Sequence, residues 1–129
     1  MRSAHQKLRF EDLLAWQSAR KLVRAVYALT RSGQLASDFG LRSQIQRAAV
    51  SIMSNIAEGF DRVGPREFAK FLSIAQGSCG EVKSLSYVLL DLGYVEDYES
   101  SSLFRDAEEV ARIIGGLTKS VRRRIPSKA

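Results

Sequence analysis

Basic side chains recur in the first quarter of the chain at the spacing of one helix face. No acidic residue lies between Asp12 and Asp38, so no acid within that stretch can neutralise them. Guanidinium and ammonium groups bind phosphate oxygens, and such contacts dominate the sequence-independent binding of nucleic acids. The pattern therefore predicts a phosphate-binding face, with an ordinary solvated helix face as the alternative. Its members are Arg20, Lys21, Arg24 and Arg31.

A second basic group stands near the end of the chain. The formal net charge is +6, yet residues 93–109 carry six acidic residues against one basic residue, so the charge is clustered. A basic protein with clustered charge attracts polyanions through its long-range potential. The alternative is structural, because early acids and late bases both suit the dipole of one helix. The residues predicted to bind nucleic acid here are Lys119, Arg122, Arg123 and Arg124.

The residues needed for most catalytic chemistry are missing from the sequence. The single histidine, His5, stands in an N-terminal stretch expected to be loose, which excludes a serine–histidine or cysteine–histidine pair on the folded body. The single cysteine, Cys79, allows no internal disulfide and lies on an apolar stripe, which favours a buried small hydrophobe over a reactive thiol. No histidine and cysteine spacing fits zinc, and no Walker or dinucleotide-binding motif is present. We therefore predict a non-enzyme without a metal or cofactor.

Four amphipathic helices are predicted to position these residues. Apolar residues recur with the helical period in each of them, and no stretch has a strand pattern. Short connections make successive helices antiparallel neighbours, so the expected fold is all-α, an antiparallel up-down-up-down four-helix bundle. Residues 1–129 form one domain, loose at about 1–9 and 125–129. The first helix is expected at about 11–32 with a cap at Gly33, followed by a loop at 34–40. The second helix is expected from a cap at Ser37 or Asp38 to Gly59, and the third from Pro65 to Gly93. The fourth helix is expected at about 98–124 after a cap at Asp97.

The second and third helices form a hairpin whose polar residues are expected to pair. The hairpin is roughly symmetric about its turn, which places Glu58 opposite Arg66 and Arg47 opposite residues 77–78. Asn55 and Glu58 lie near the turn. Buried polar groups must find hydrogen-bond partners, and a bonded set of this kind fixes the register of two helices.

Further from the turn, Arg42 or Arg47 is expected to bond Ser78 or Glu81. This pairing is a structural interpretation of the polar residues in the hairpin. The functional alternative is a carboxylate site formed by Glu58, Asp61 and Glu81.

Two glycines interrupt the third predicted helix. Gly77 and Gly80 stand in its interior, where a glycine costs about 1 kcal/mol relative to alanine. Such a cost is expected where another helix backbone approaches closely. The approaching helix could belong to the same chain or to a second subunit.

Several segments of the chain carry recognisable motifs. Residues 47–52 read RAAVSI and residues 55–59 read NIAEG, while residues 75–81 read AQGSCGE. Residues 10–13 and 16–19 read FEDL and WQSA. Together these motifs resemble the signatures of the 23S rRNA intervening-sequence protein family, also called the four-helix bundle proteins.

The resemblance extends over about residues 8–122, nearly the whole chain. One departure is Gln76, where an arginine is common in the family, so a contact made by that arginine is altered here. The positions that carry the family signature are Arg47, Asn55, Glu58, Gly59, Gly77, Ser78 and Glu81.

The resemblance implies a bundle that assembles into a ring, typically a homopentamer. It also implies a relation to the accessory protein of diversity-generating retroelements, which binds a reverse transcriptase and contacts nucleic acid through basic faces. We therefore predict a non-catalytic, oligomeric nucleic-acid-binding protein, with RNA as the expected ligand. The alternative is a protein-interaction scaffold or an accessory subunit for a partner enzyme such as a reverse transcriptase.

Aromatic residues and localisation complete the sequence-based expectations. Trp16 and the phenylalanines fall on core stripes, which leaves Tyr27 as the one candidate for stacking on bases.

No apolar run is long enough to span a bilayer, and residues 1–5 lack the apolar core of a signal peptide. A cytoplasmic protein without a membrane partner is expected.

Overall fold

A computed structural model describes residues 7–127, which form helices joined by short connections. No strand occurs within that range. Expected features at His5, at the rest of residues 1–6 and at residues 128–129 lie outside the described residues. The elements are a 3-10 turn at Phe10–Asp12 followed by α1 (Leu14–Thr30), α2 (Gly33–Ser37), α3 (Phe39–Asp61), α4 (Pro65–Asp91) and α5 (Asp97–Arg122).

The four long helices form the predicted antiparallel up-down-up-down bundle. Helix α1 packs against α3 and α5, and α4 packs against the same two helices, so the order around the bundle follows the chain. The all-α prediction is confirmed. The end of α5 therefore lies beside the start of α1.

Apolar side chains from all four long helices fill the centre of the bundle. Each helix contributes residues at three- and four-residue spacing, as an amphipathic helix packed on one face must do. The four buried hydroxyl side chains all donate to helix carbonyls, so they do not disturb the apolar interior. These are Thr30 to Tyr27, Ser86 to Lys83, Ser100 to Ser86 and Thr118 to Ile114.

The first helix begins later than predicted. Residues 10–12 form a 3-10 turn, Leu13 is extended, and α1 starts at Leu14. The Asp12 carboxylate accepts from the Arg9 backbone N–H at 2.9 Å, which closes the turn before α1 begins. The ring of Phe10 packs edge-on against Trp16, with centroids 5.3 Å apart.

The predicted loop at 34–40 is wrong, because most of it is helical. Leu35 is fully buried and draws the short helix α2 against the bundle. Of the two predicted caps, Asp38 is the one used, since its Oδ1 accepts from the Leu41 N–H at 3.1 Å. Helix α3 thus starts at Phe39 and runs to Asp61, two residues beyond the predicted end at Gly59.

The link between α4 and α5 is bonded at both of its ends. Gly93 has a φ of 71°, and the N–H of Tyr94 donates to the Leu89 carbonyl at 3.0 Å, as in a Schellman cap. The Tyr94 hydroxyl then donates to Asp38 Oδ2 at 3.0 Å, which raises the pKa of the phenol and ties this end of α4 to the start of α3. The cap predicted at Asp97 is wrong by one residue, because Glu96 precedes the first turn of α5 and its N–H donates to a Glu99 carboxylate oxygen at 2.8 Å.

Candidate nucleic-acid interface

The basic residues of α1 divide into two groups. Arg20, Arg24 and Arg31 lie within about 40° of one another around the helix axis, whereas Lys21 points about 60–100° away from them. All four side chains are exposed. Within residues 7–127 none of the four forms a salt bridge; ion pairs occur at Arg9, Arg62 and Arg112 instead.

Lys21 lies on the side of α1 that faces α5. It lines a groove of about 450 Å³ between α1 and α5, together with Asp106 and Glu109. Arg112 donates two hydrogen bonds to Glu109, at 2.9 and 2.6 Å, and holds the pKa of that carboxyl below its usual range. The carboxylates near Lys21 reduce its value as a phosphate ligand.

Arg20, Arg24 and Arg31 lie on the other side of α1, with Tyr27 between them. Tyr27 is 40% exposed and falls within about 60° of all three arginines around the axis. Arg20 also lies over the ring of Trp16, 5.7 Å from its centroid. We call Arg20, Arg24 and Arg31 the α1 row.

The basic residues at the end of α5 form a separate patch. Leu14 and Ile113 line the same groove, as do Lys21 and Asp106, so Arg20 stands level with about residue 108 of α5. Arg122 lies about 14 residues further along, or roughly 20 Å at the helical rise of 1.5 Å. The antiparallel arrangement of the first and last helices predicts that the two basic regions can merge, but they lie at different heights along the bundle. Lys119, Arg122, Arg123 and Arg124 are all exposed and form no salt bridge within residues 7–127.

Two signature positions, Asn55 of α3 and Ser78 of α4, are joined through the hydroxyl group of Ser51. The Ser78 hydroxyl donates to the Ser51 hydroxyl at 3.0 Å, and the Asn55 amide donates to the same oxygen at 3.0 Å. The Asn55 amide also donates to the Ser51 carbonyl at 2.8 Å. Arg47 and Glu81 line a pocket of about 250 Å³ beside Ser78, which confirms the predicted register.

Several predicted partners differ in detail. Arg42 donates to the Ala36 carbonyl at 2.7 Å and lies over the ring of Phe39, because α2 occupies the space expected for a loop. Glu81 accepts from Gln44 at 3.3 Å, and neither Arg42 nor Arg47 bonds it. Glu58 pairs with Arg62 at 2.7 Å, one turn along its own helix, in place of Arg66.

The predicted carboxylate site does not assemble. Glu81 lies beside Gln44, and Glu58 stands fourteen residues further along α3, about 21 Å away at the helical rise. Within the described part of the chain, no three His, Cys, Asp or Glu side chains are grouped so that they could hold a metal ion.

The sequence profile of the 23S rRNA-intervening sequence protein family matches residues 11–116. The chain belongs to this family. A solved structure with the same fold is a protein of unknown function from the S23 ribosomal protein family of Bacteroides thetaiotaomicron. It is 20% identical, with a TM-score of 0.75 over 82% of this chain and 99% of that chain. Comparison with curated proteins finds no match.

The signature glycines of the family have different environments in this chain. A Cβ added at Gly59 would lie 2.6 Å from the Phe71 Cβ, so α3 and α4 approach closely there. A Cβ at Gly77 or Gly80 would have no neighbour within 4 Å among residues 7–127. Of the two alternatives for the approaching helix, a helix from the same chain is therefore wrong for the described residues.

Gln76, the position that departs from the family pattern, connects α4 to α5. Its side-chain amide donates to the Ala111 carbonyl at 2.8 Å. The position at which the family resemblance predicts an arginine is thus an interhelical contact within this chain.

Two exposed aromatic residues differ from the sequence-based expectation. Phe39 is 70% exposed although the phenylalanines are predicted to lie in the core, and Tyr87 is 57% exposed on the outer side of α4. Tyr87 packs edge-on against Phe104 of α5, with centroids 5.6 Å apart. The signal in the sequence was an aromatic residue at an outer position of α4, where Ile74 and Val88 are also exposed.

No helix among the described residues is both long and apolar enough to cross a bilayer.

Proposed function

We propose that this protein is a non-catalytic, oligomeric nucleic-acid-binding bundle whose α1 row contacts phosphates. One observation supports the proposal above all others: Arg20, Arg24 and Arg31 are exposed on one side of α1, without an acidic partner among residues 7–127. The row extends about 16 Å along the helix axis. A nucleic acid duplex presents about ten phosphate charges over that length, so three simultaneous contacts are geometrically feasible.

Self-association would multiply these contacts. The middle of the outer face of α4, between the charged residues Lys70 and Glu81, exposes Ser73, Ile74, Gly77 and Gly80, none of which is charged. The small residues among them would let the backbone of a second copy approach closely. A ring of copies, a pentamer by family resemblance, would present the α1 row repeatedly and raise the effective concentration of binding sites. The expected setting is the cytoplasm, with RNA as the expected ligand.

The test is the salt dependence of binding to a labelled RNA and to a DNA duplex. Replacing Arg20, Arg24 and Arg31 with Gln should lower the slope of log affinity against log salt by about 2–3, because each phosphate contact contributes about 0.7–0.9. Circular dichroism and light scattering should be unchanged, since the three side chains are exposed.

The pair Arg66→Gln and Lys70→Gln is the matched control for Arg20→Gln and Arg24→Gln. Both pairs are exposed and separated by one helical turn, and both variants remove two positive charges. Equal slopes for the two pairs would show that binding responds to net charge rather than to the α1 row. Absence of wild-type binding at about 50 mM salt would reject the proposal.

A protein-interaction scaffold is the second candidate, and the uncharged middle of the outer face of α4 favours it. In that case the partner enzyme, a reverse transcriptase by family resemblance, supplies the chemistry. Association would then be insensitive to salt, because an uncharged face attracts its partner mainly through apolar burial. A complex that withstands high salt while wild-type protein fails to bind nucleic acid would favour this function.

A further inference from the structure

A groove between α4 and α5 combines an aromatic wall with hydroxyl groups. Its volume is about 290 Å³, and Tyr87 and Phe104 stand at one side in edge-to-face contact. This volume is slightly below the range of about 300–1,000 Å³ for small-molecule sites, so the groove suits one ring system rather than an extended ligand. It is lined by Ser86, Tyr87, Leu90, Ser100, Ser101, Phe104 and Arg105.

Two cations border the groove. Lys83 Nζ lies 5.7 Å from the centroid of the Phe104 ring. Arg105 is exposed and forms no salt bridge within residues 7–127, because Glu109 is bonded to Arg112. Both cations are therefore available to an anionic group at the mouth of the groove, although neither is buried.

The serine hydroxyls give the groove hydrogen-bonding capacity. Ser86 and Ser100 are buried and donate to helix carbonyls, which leaves their oxygens able to accept. Ser101 is exposed and has no hydrogen-bond partner within the described residues. A purely aliphatic side chain would leave these oxygens unused, whereas a ring with polar edges would use them.

We propose that the groove binds an unpaired nucleobase, which stacks on Tyr87 while Lys83 and Arg105 contact its phosphate. Stacking on aromatic or guanidinium planes is how proteins hold single-stranded bases, and it tolerates any base because each has a π face. The inference deepens the proposed function, since it names an unpaired strand as the preferred ligand. It adds a site that the α1 row does not include.

The groove and the α1 row lie on different sides of the bundle. The groove is between α4 and α5, whereas the row lies on the side of α1 turned away from α5. One strand can reach both only by passing around the bundle or by contacting two copies. The two sites can therefore be tested separately.

The first experiment titrates the isotope-labelled full chain with adenosine 5′-monophosphate and with ribose 5-phosphate, using NMR. The nucleotide should give saturable shifts at the amides of Tyr87, Ser101 and Arg105. Ribose 5-phosphate, which lacks the base, should bind at least about fivefold more weakly, because stacking accounts for about 1–3 kcal/mol per base.

The second experiment compares variants at two exposed tyrosines. Tyr87→Ala should weaken nucleotide binding by about 5- to 150-fold, and Tyr87→Phe should retain it, because the ring rather than the hydroxyl stacks. Tyr98→Ala is the matched control, since Tyr98 is 73% exposed and lies outside the groove.

The outcomes separate this inference from the proposed function. Equal binding of the nucleotide and ribose 5-phosphate would overturn the nucleobase site. So would binding of N-acetylphenylalanine amide, which represents a peptide side chain, if it is stronger than binding of the nucleotide. If substitutions in the α1 row weaken binding of a nucleic acid strand but Tyr87→Ala does not, the nucleobase site is overturned while the proposed function stands. Nucleotide shifts at the groove without any strand binding would support the groove and reject the proposed function.

Discussion

Gly59 in α3 and the pair Gly77 and Gly80 in α4 are all glycines inside helices, but their surroundings are opposite. Gly59 is buried, and an added Cβ there would meet Phe71 and Phe68 at 2.6 and 3.1 Å. Gly77 and Gly80 are exposed, and an added Cβ at either would meet nothing within 4 Å. One glycine lets two helices meet, whereas the other two face open space.

The comparison shows which glycine has its free-energy cost offset by contacts within a single chain. A glycine in a helix interior costs about 1 kcal/mol relative to alanine. At Gly59 that cost is offset by the packing of two phenylalanine rings close to the α3 backbone. At Gly77 and Gly80 no contact among residues 7–127 offsets that cost, which is consistent with the proposed second copy on that face.

The largest predicted effect is at Gly59. Gly59→Ala should destabilise the protein by about 1–3 kcal/mol despite the better helix propensity of alanine, because the nearest atom is the Phe71 Cβ, which moves only with its backbone. Urea denaturation followed by circular dichroism measures the change. A Gly59→Ala variant as stable as the wild type would mean that α3 and α4 are not in close contact there.

The paired prediction concerns Gly77 and Gly80. Gly77→Ala and Gly80→Ala should each stabilise an isolated chain by up to about 1 kcal/mol, because neither methyl group meets a neighbour. If this face packs on a second copy, the same methyl groups should weaken assembly. Urea denaturation at low concentration measures the first effect, and light scattering at micromolar concentration measures the second.

Two results would contradict that prediction. Destabilisation of the isolated chain by either substitution would mean that the face is not open. A wild-type protein that scatters only as a 14.4 kDa species would reject self-association altogether.

The fold was largely predictable because long helices carry strong periodic signals. The caps at Asp38 and Gly93 and the proline start of α4 followed from local chemistry that needs no tertiary information. Helix α2 was missed because its five residues are too few to show a period, and a single tertiary contact, the burial of Leu35, decides it.

The candidate sites were less predictable because they depend on which helices are neighbours on each side. The exposure of the α1 row follows from one helix alone, but the position of Lys21 beside Asp106 requires the packing of α1 on α5. The contact between Tyr87 and Phe104 likewise depends on the α4–α5 register. The spacing of residues within one helix specifies neither of these two placements.

The smallest predicted effect is a change in thiol reactivity on the boundary between the two faces of α4. Cys79 lies between Gly77 and Gly80 in sequence but is 0% exposed, and its burial raises the pKa of the thiol to about 11. At pH 8, three units lower, about one thiol in a thousand is ionised, so alkylation of the native protein by iodoacetamide should be slow. Because burial raises the pKa of the folded thiol from its ordinary 9.0 to about 11, the thiol destabilises the fold only as the pH rises above about 9.

Gly80→Cys combined with Cys79→Ala moves the thiol one position to the exposed face and should react rapidly in a dilute, monomeric sample. If a second copy covers the outer face of α4, that rate should fall as protein concentration increases, whereas the native Cys79 rate should stay constant. Fast alkylation of native Cys79 at pH 8 would show that the boundary between the packed and open faces of α4 is wrongly placed.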